Sequence, residues 1–247
     1  MRYFLQLSYN GTGFCGWQRQ ANALSVQETL EHALGLLTRR PVNLVGSGRT
    51  DTGVHALQQF AHWDTEPLPD PTELLRKLNA FLPPGIAVRR LFPVADDLHA
   101  RFSATSRKYE YRIIRHKSPF LPSLAYFYNL PLDVVAMNEA AARLIGYMDF
   151  QSYSRVKTEV RHFYCRISEA HWEDRGDELI FHVRADRFLR GMVRALTGTL
   201  LDVGLGKATP DDVEAITQAR DRSRAGRAVP PQGLFLTEVT YPPGSGV

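Results

Sequence analysis

Between two apolar runs, residues 46–56 read Gly-Ser-Gly-Arg-Thr-Asp-Thr-Gly-Val-His-Ala and join three glycines to an arginine, an acid and a histidine. The chemistry such a set supports is that of a carboxylate nucleophile. Glycine opens backbone angles that a Cβ forbids, and the Arg49 guanidinium, two residues from Asp51, favours the ionised acid. Two phosphate-binding patterns fail on the letters: no Gly-Lys-Ser/Thr ending follows Gly46, and Asp51 fills the position where a dinucleotide fingerprint requires glycine. A structural alternative is a turn capped by Asp51 and paired to Arg49. His55 has no partner at metal-ligand spacing, and Cys15 and Cys165 stand far apart, so neither a catalytic metal nor a disulfide is expected.

Two further segments combine charge with special geometry. In Arg107-Lys108-Tyr109-Glu110-Tyr111 basic residues adjoin tyrosines on a strand, where Tyr109 could stack on a base or serve as a half-buried strand aromatic. In residues 186–204, Phe188, Met192, Leu196 and Leu200 fit a buried helix stripe, and Arg194 sits among apolar neighbours. A partly buried guanidinium needs a partner, for which Asp51 is one candidate; the alternative is an arginine that snorkels to solvent. Arg220, Arg222, Arg224 and Arg227 form a later basic cluster that suits a phosphate backbone or a solvated loop.

The elements that must position these residues follow from periodicity. Alternation over 2–9 predicts a strand closed by Asn10-Gly11, and Phe14 and Trp17 in the next loop read as core plugs. Ser25 and Glu28 make a capping box for a helix over 26–38. Strands are predicted over 42–45 and 57–63 on either side of the glycine-rich loop, then a helix from Pro71 to about 80 and a strand over 86–92. This is the order of a split βαβ, or ferredoxin-like, unit. The second half repeats it: strand around 109–113, helix over 134–144, strands over 163–172 and 179–185, helices over 189–202 and from Thr209, and a closing strand over 234–241. An α+β fold is therefore expected, with two ferredoxin-like halves, residues 1–103 and 104–247, forming one continuous antiparallel sheet with a central cleft.

Composition adds modest constraints. No run of the 247 residues approaches a membrane span and no signal-peptide core follows Met1, so a cytoplasmic protein is expected. Net charge is only +4, yet 25 of the 30 basic residues are arginine, a bias that suits RNA phosphates and bases and that genomic base composition can also produce.

Residues 48–56 resemble the catalytic motif of the tRNA pseudouridine synthase A (TruA) family. Tyr9-Asn10-Gly11, Gly16-Trp17-Gln18, Phe102-Ser103-Ala104-Thr105, Arg107-Lys108-Tyr109, Met192-Val193-Arg194 and Gly233-Leu234-Phe235-Leu236 with Val239 and Tyr241 resemble further motifs of that family, in order along the chain. The resemblance implies a pseudouridine synthase fold and isomerisation of uridine in the anticodon stem-loop of tRNA, by a cytoplasmic homodimer without cofactor. It implies Asp51 as nucleophile, Tyr109 as the stacking tyrosine, Arg194 as the basic partner of the acid, and Arg49 as a holder of the flipped nucleotide. Asn10, Ala195 and the Arg190-Gly191 pair depart from the usual pattern. Two other classes stand against this reading: a non-catalytic RNA-binding protein, which has no need of the acid, and a glycosidase, which needs a second spaced carboxylate.

Overall fold

A computed structural model describes residues 1–155 and 160–247, which form two compact units, residues 1–105 with 235–247 and residues 106–234. The fold is α+β and its strand pairing is mostly antiparallel. A simple division at 103/104 does not describe these units, because the chain returns to the first one with its closing strand.

In the first unit β1 (Arg2–Tyr9) lies between β3 (His55–Asp64) and β4 (Ile86–Val94), antiparallel to both. The short β2 (Val45–Gly46) pairs with β3. The predicted strand over 42–45 is displaced because side chains claim the Leu44 backbone. Gln27 donates to its carbonyl at 2.9 Å and its N–H donates to Glu31 at 2.9 Å. Helix α1 (Val26–Thr38) begins where Ser25 Oγ accepts from the Glu28 N–H, and α2 (Pro71–Phe81) begins where Asp70 accepts from Glu73 with proline in the first turn. Both satisfy N–H groups that a helix start leaves open. Leu30 and Leu34 from α1, Leu78 from α2 and Phe4, Leu5 and Leu7 from β1 are fully buried.

The second unit is built on β5 (Ser106–Ile114), β9 (Glu178–Ala185), β8 (Tyr164–Asp174) and β7 (Gly146–Asp149), adjacent in that order and antiparallel. The short β6 (Tyr126–Phe127) adds to β5 in parallel. Helix α3 (Val134–Ala142) packs on β8 and on α4 (Met192–Gly204), and α5 (Pro210–Ala219) follows a capping box between Thr209 and Asp212. Helix α4 starts later than its apolar run suggests. Gly191 ends the preceding loop at φ 72°, a left-handed conformation that glycine reaches without strain, and this leaves Phe188 outside the helix and half-buried. Helix α4 otherwise buries nearly every side chain, and Gly198 lets it approach the Arg227 carbonyl where any Cβ would overlap it. The closing strand β10 (Leu234–Thr240) pairs with β3 of the first unit in parallel at Phe235 and Leu236.

Burial of His62 on β3 ties the first unit to pH. Its Nδ1 accepts from the Ala100 N–H at 3.1 Å, and its ring meets His99 edge-on at 4.6 Å. Burial, with the nearby Arg2 charge and His99 in support, lowers its pKa to about 4. An unfolded histidine binds its proton near pH 6.5, so between those values the unfolded state holds the extra proton and stability decreases as the pH is lowered. Thermal unfolding followed from pH 7 to pH 4.5 should show a falling midpoint, and His62→Gln should show a shallower fall; equal slopes would remove His62 as a cause.

Candidate active site

Residues 47–54 leave β2 and return to β3, and two neighbouring segments of the first unit fix their path. Trp17 donates its N–H to the Thr50 carbonyl at 3.2 Å, and the Thr50 hydroxyl lies 2.9 Å from the Tyr9 phenol oxygen. Gly53 donates to the Phe14 carbonyl at 3.3 Å, and Gly11 donates to His55 Nδ1 at 3.0 Å. On the other side Ser47 Oγ donates to Gln59 Oε1, while Gln59 Nε2 donates to the Gly48 carbonyl at 2.9 Å. Asp51 is the half-buried residue next to the doubly anchored Thr50.

Steric fit explains the glycines. A Cβ on Gly11 would overlap the Val54 carbonyl, and one on Gly16 would overlap the Thr50 carbonyl and stand 3.1 Å from the carbonyl carbon of Asp51. Gly16 also takes φ +82°, which strains any other residue. Gly46 abuts the Trp17 ring, so Trp17 and Phe14 plug the core beneath the loop as expected. Gly48, by contrast, faces open space.

Arg49 is exposed, and its Nε donates to Gln18 Oε1 at 3.1 Å. Gln18 donates in turn to Gln27, and Gln27 to Glu31, each at 2.9 Å. This relay orients the guanidinium from α1. The sequence does not reveal it, because Gln27 and Glu31 sit where helix periodicity allows solvent; their burial is the signal, and it exists only in the folded chain. His55, buried and stacked on Phe235 at 4.5 Å, holds the loop end to β10.

Tyr109 and Arg194 belong to the second unit. Tyr109, half-buried on β5, meets the Phe188 ring edge-on at 5.1 Å. Phe188 is therefore a wall for Tyr109 rather than part of the helix core. Arg194 is half-buried on the first turn of α4, and its Nε donates to the Val229 carbonyl at 2.6 Å. Next to it Tyr111 is fully buried and donates to the Pro230 carbonyl at 2.8 Å, and its burial raises the phenol pKa.

Metal-type ligands gather once among the described residues, where Glu169, His171 and His182 bring their atoms within 4.8 Å. Their geometry is that of an ion-pair network. Lys108 Nζ lies 2.8 Å from Glu169, and the two imidazoles are stacked at 4.8 Å with planes 18° apart, so in-plane lone pairs do not converge.

An acid presented on a loop whose backbone is locked on both sides suits covalent chemistry at a carboxylate. A sequence model of the tRNA pseudouridine synthase family matches residues 7–103 and 140–242. The chain is 50% identical over 242 residues to a tRNA pseudouridine synthase A of Parabacteroides distasonis, covering 98% of this chain and 96% of that protein. It is 47% identical to the same-named protein of Porphyromonas gingivalis, covering 98% and 97%, and 40% identical to that of Exiguobacterium sibiricum, covering 98% and 97%. The chain belongs to the tRNA pseudouridine synthase A family.

The close approach at Gly16 yields a direct test. Gly16→Ala should lower the unfolding free energy by about 2 kcal/mol or more in urea titration, through left-handed strain added to overlap with the Thr50 carbonyl. Unchanged stability would mean that the loop has room to shift.

Proposed function

We propose that this protein isomerises uridine to pseudouridine in the anticodon stem-loop of tRNA, with Asp51 as the nucleophile acting on a flipped-out nucleotide. The observation that carries the reading is the near full-length likeness to proteins named tRNA pseudouridine synthase A. The reaction breaks the bond from the ribose C1′ to N1 and joins the same carbon to C5. C5 loses a proton and N1 gains one, so mass is unchanged and nothing is oxidised. A carboxylate can supply the covalent step. The uracil must turn while detached, and the target must first leave its stack.

In this reading Asp51, Arg49, Tyr109 and Arg194 act together on one nucleotide. The locked backbone on either side of Asp51 supports its role, since a nucleophile must be held to within a fraction of an ångström. The Gln18 relay supports Arg49 as the group that keeps the uridine extruded. Tyr109, fixed edge-on by Phe188, offers a ring to the detached base, and Arg194 serves as the cation for the aspartate. The antiparallel order β4-β1-β3-β2 supports a ferredoxin-like description of the first unit, and the proposal extends that description to the second half, with a continuous sheet and a central cleft. The cytoplasmic homodimer implied by the resemblance belongs to the same proposal; among the described residues no helix is long and apolar enough to cross a membrane.

Incubation of the purified protein with unmodified tRNA should yield isomerised uridine at unchanged mass, detected by nucleoside chromatography; released uracil or unaltered tRNA would overturn the reading. Asp51→Asn should abolish the product while tRNA affinity and the unfolding midpoint stay close to wild type, and substantial turnover by that folded variant would remove Asp51 as nucleophile. Tyr109→Phe should retain more turnover than Tyr109→Leu if ring stacking dominates; the reverse order would assign the work to the hydroxyl.

A further inference from the structure

The edge of the second unit's sheet carries an aromatic and cationic patch that the proposed chemistry does not use. In the β7–β8 ladder Tyr147 stands opposite Arg166, and Asp149 opposite Tyr164. Opposed residues share a sheet face, as do residues two apart on a strand, so Tyr147, Tyr164 and Arg166 all project from the same side. The tyrosine rings stack at 5.3 Å with planes 24° apart, and the Arg166 guanidinium lies 5.2 Å from the Tyr147 ring centroid. His162 continues the row 6.2 Å from Tyr164, and Arg187 reaches the His162 ring at 3.3 Å. Tyr147 is 54% exposed and Tyr164 37% exposed.

Charge decides what this surface can bind. Arg166 and Arg187 form no ion pair with a carboxylate among the described residues, and Asp149, the acid of β7, is engaged by Arg220 at 3.2 Å. The Asp186 carboxylate lies at the patch and accepts from the backbone N–H groups of Arg166 at 2.8 Å and Arg187 at 2.7 Å. Exposed tyrosine rings beside guanidinium groups that bond no carboxylate among the described residues suit a phosphate backbone with unpaired bases, which stack on aromatic rings and neutralise arginine.

We propose that this patch is a second RNA-contact surface, where phosphates of the tRNA outside the modified nucleotide bind Arg166 and Arg187 and an unpaired base stacks on the Tyr147–Tyr164 pair. The inference rests on tRNA being the substrate. The stacked pair presents a platform already ordered, so a base that docks there does not have to order two side chains first.

The test is Arg166→Ala combined with Arg187→Ala, and separately Tyr164→Ala, in the full-length protein with unmodified tRNA. The double variant should raise KM about tenfold with kcat at saturating tRNA within about twofold, and should reduce the slope of log affinity against log salt by roughly 1.5, as expected for two lost phosphate contacts. Tyr164→Ala should weaken binding about tenfold without changing the salt slope. Arg166→Lys with Arg187→Lys should restore the slope. Wild-type KM and slope in a folded, active double variant would overturn the inference, as would a change of oligomeric mass by sedimentation with tRNA affinity intact. If the wild type forms no pseudouridine, the functional reading fails on its own, and the same slope measured by tRNA filter binding still decides whether the patch contacts RNA.

Discussion

Close backbone contact between the 11–16 segment and the Asp51 loop is the constraint on which the rest of the first unit depends. Gly11 and Gly16 touch main-chain carbonyls at Val54 and Thr50, so the two segments are locked without any adjustable side chain between them. Carbonyl and amide groups brought that near must be paired, and they are: Trp17 with Thr50, Gly53 with Phe14, Gly11 with His55. The outcome is an acid whose backbone is fixed by neighbours on both sides while its loop stays accessible. Rigid support of this kind is what the proposed role of Asp51 requires.

Arg49 illustrates how a helix can orient a side chain on a loop to which it does not belong. Gln27 and Glu31 are buried on α1, and they serve two structures at once. They take the backbone of Leu44, which delays β2, and they orient Gln18, which orients Arg49. A chain of neutral amides ending on a buried acid holds direction well, because each group has its donors and acceptors committed.

Much of this was legible in the letters, for identifiable reasons. Helices α1 and α5 begin where Ser25 and Thr209 stand and α2 begins at Pro71, since helix starts are local interactions written in adjacent residues. The Asp51 loop was legible because glycine, acid and arginine are clustered in sequence. The displaced β2, the late start of α4 and the short strands β6 and β7 were not, because each depends on distant partners: side chains of α1, a left-handed Gly191, and pairing to β5 and β8. Phe188 shows the same limit. Its spacing fits a helix stripe, yet its neighbour is the Tyr109 ring. The Tyr147, Tyr164 and Arg166 row escapes sequence reading altogether, since its members come from two strands and meet only through register.

Strand β10 carries a kinetic consequence. It pairs with β3 at residues 235 and 55, on the far side of the entire second unit in the chain. The second unit is contiguous and can close its sheet as soon as residues 106–234 have left the ribosome. The first unit, although it begins earlier, stays one strand short until that has happened, with the edge of β3 unfilled. Vectorial synthesis thus favours an order in which the inserted unit matures first and the unit bearing Asp51 is sealed last, a long-range closure of the kind that slows folding and invites chaperone protection.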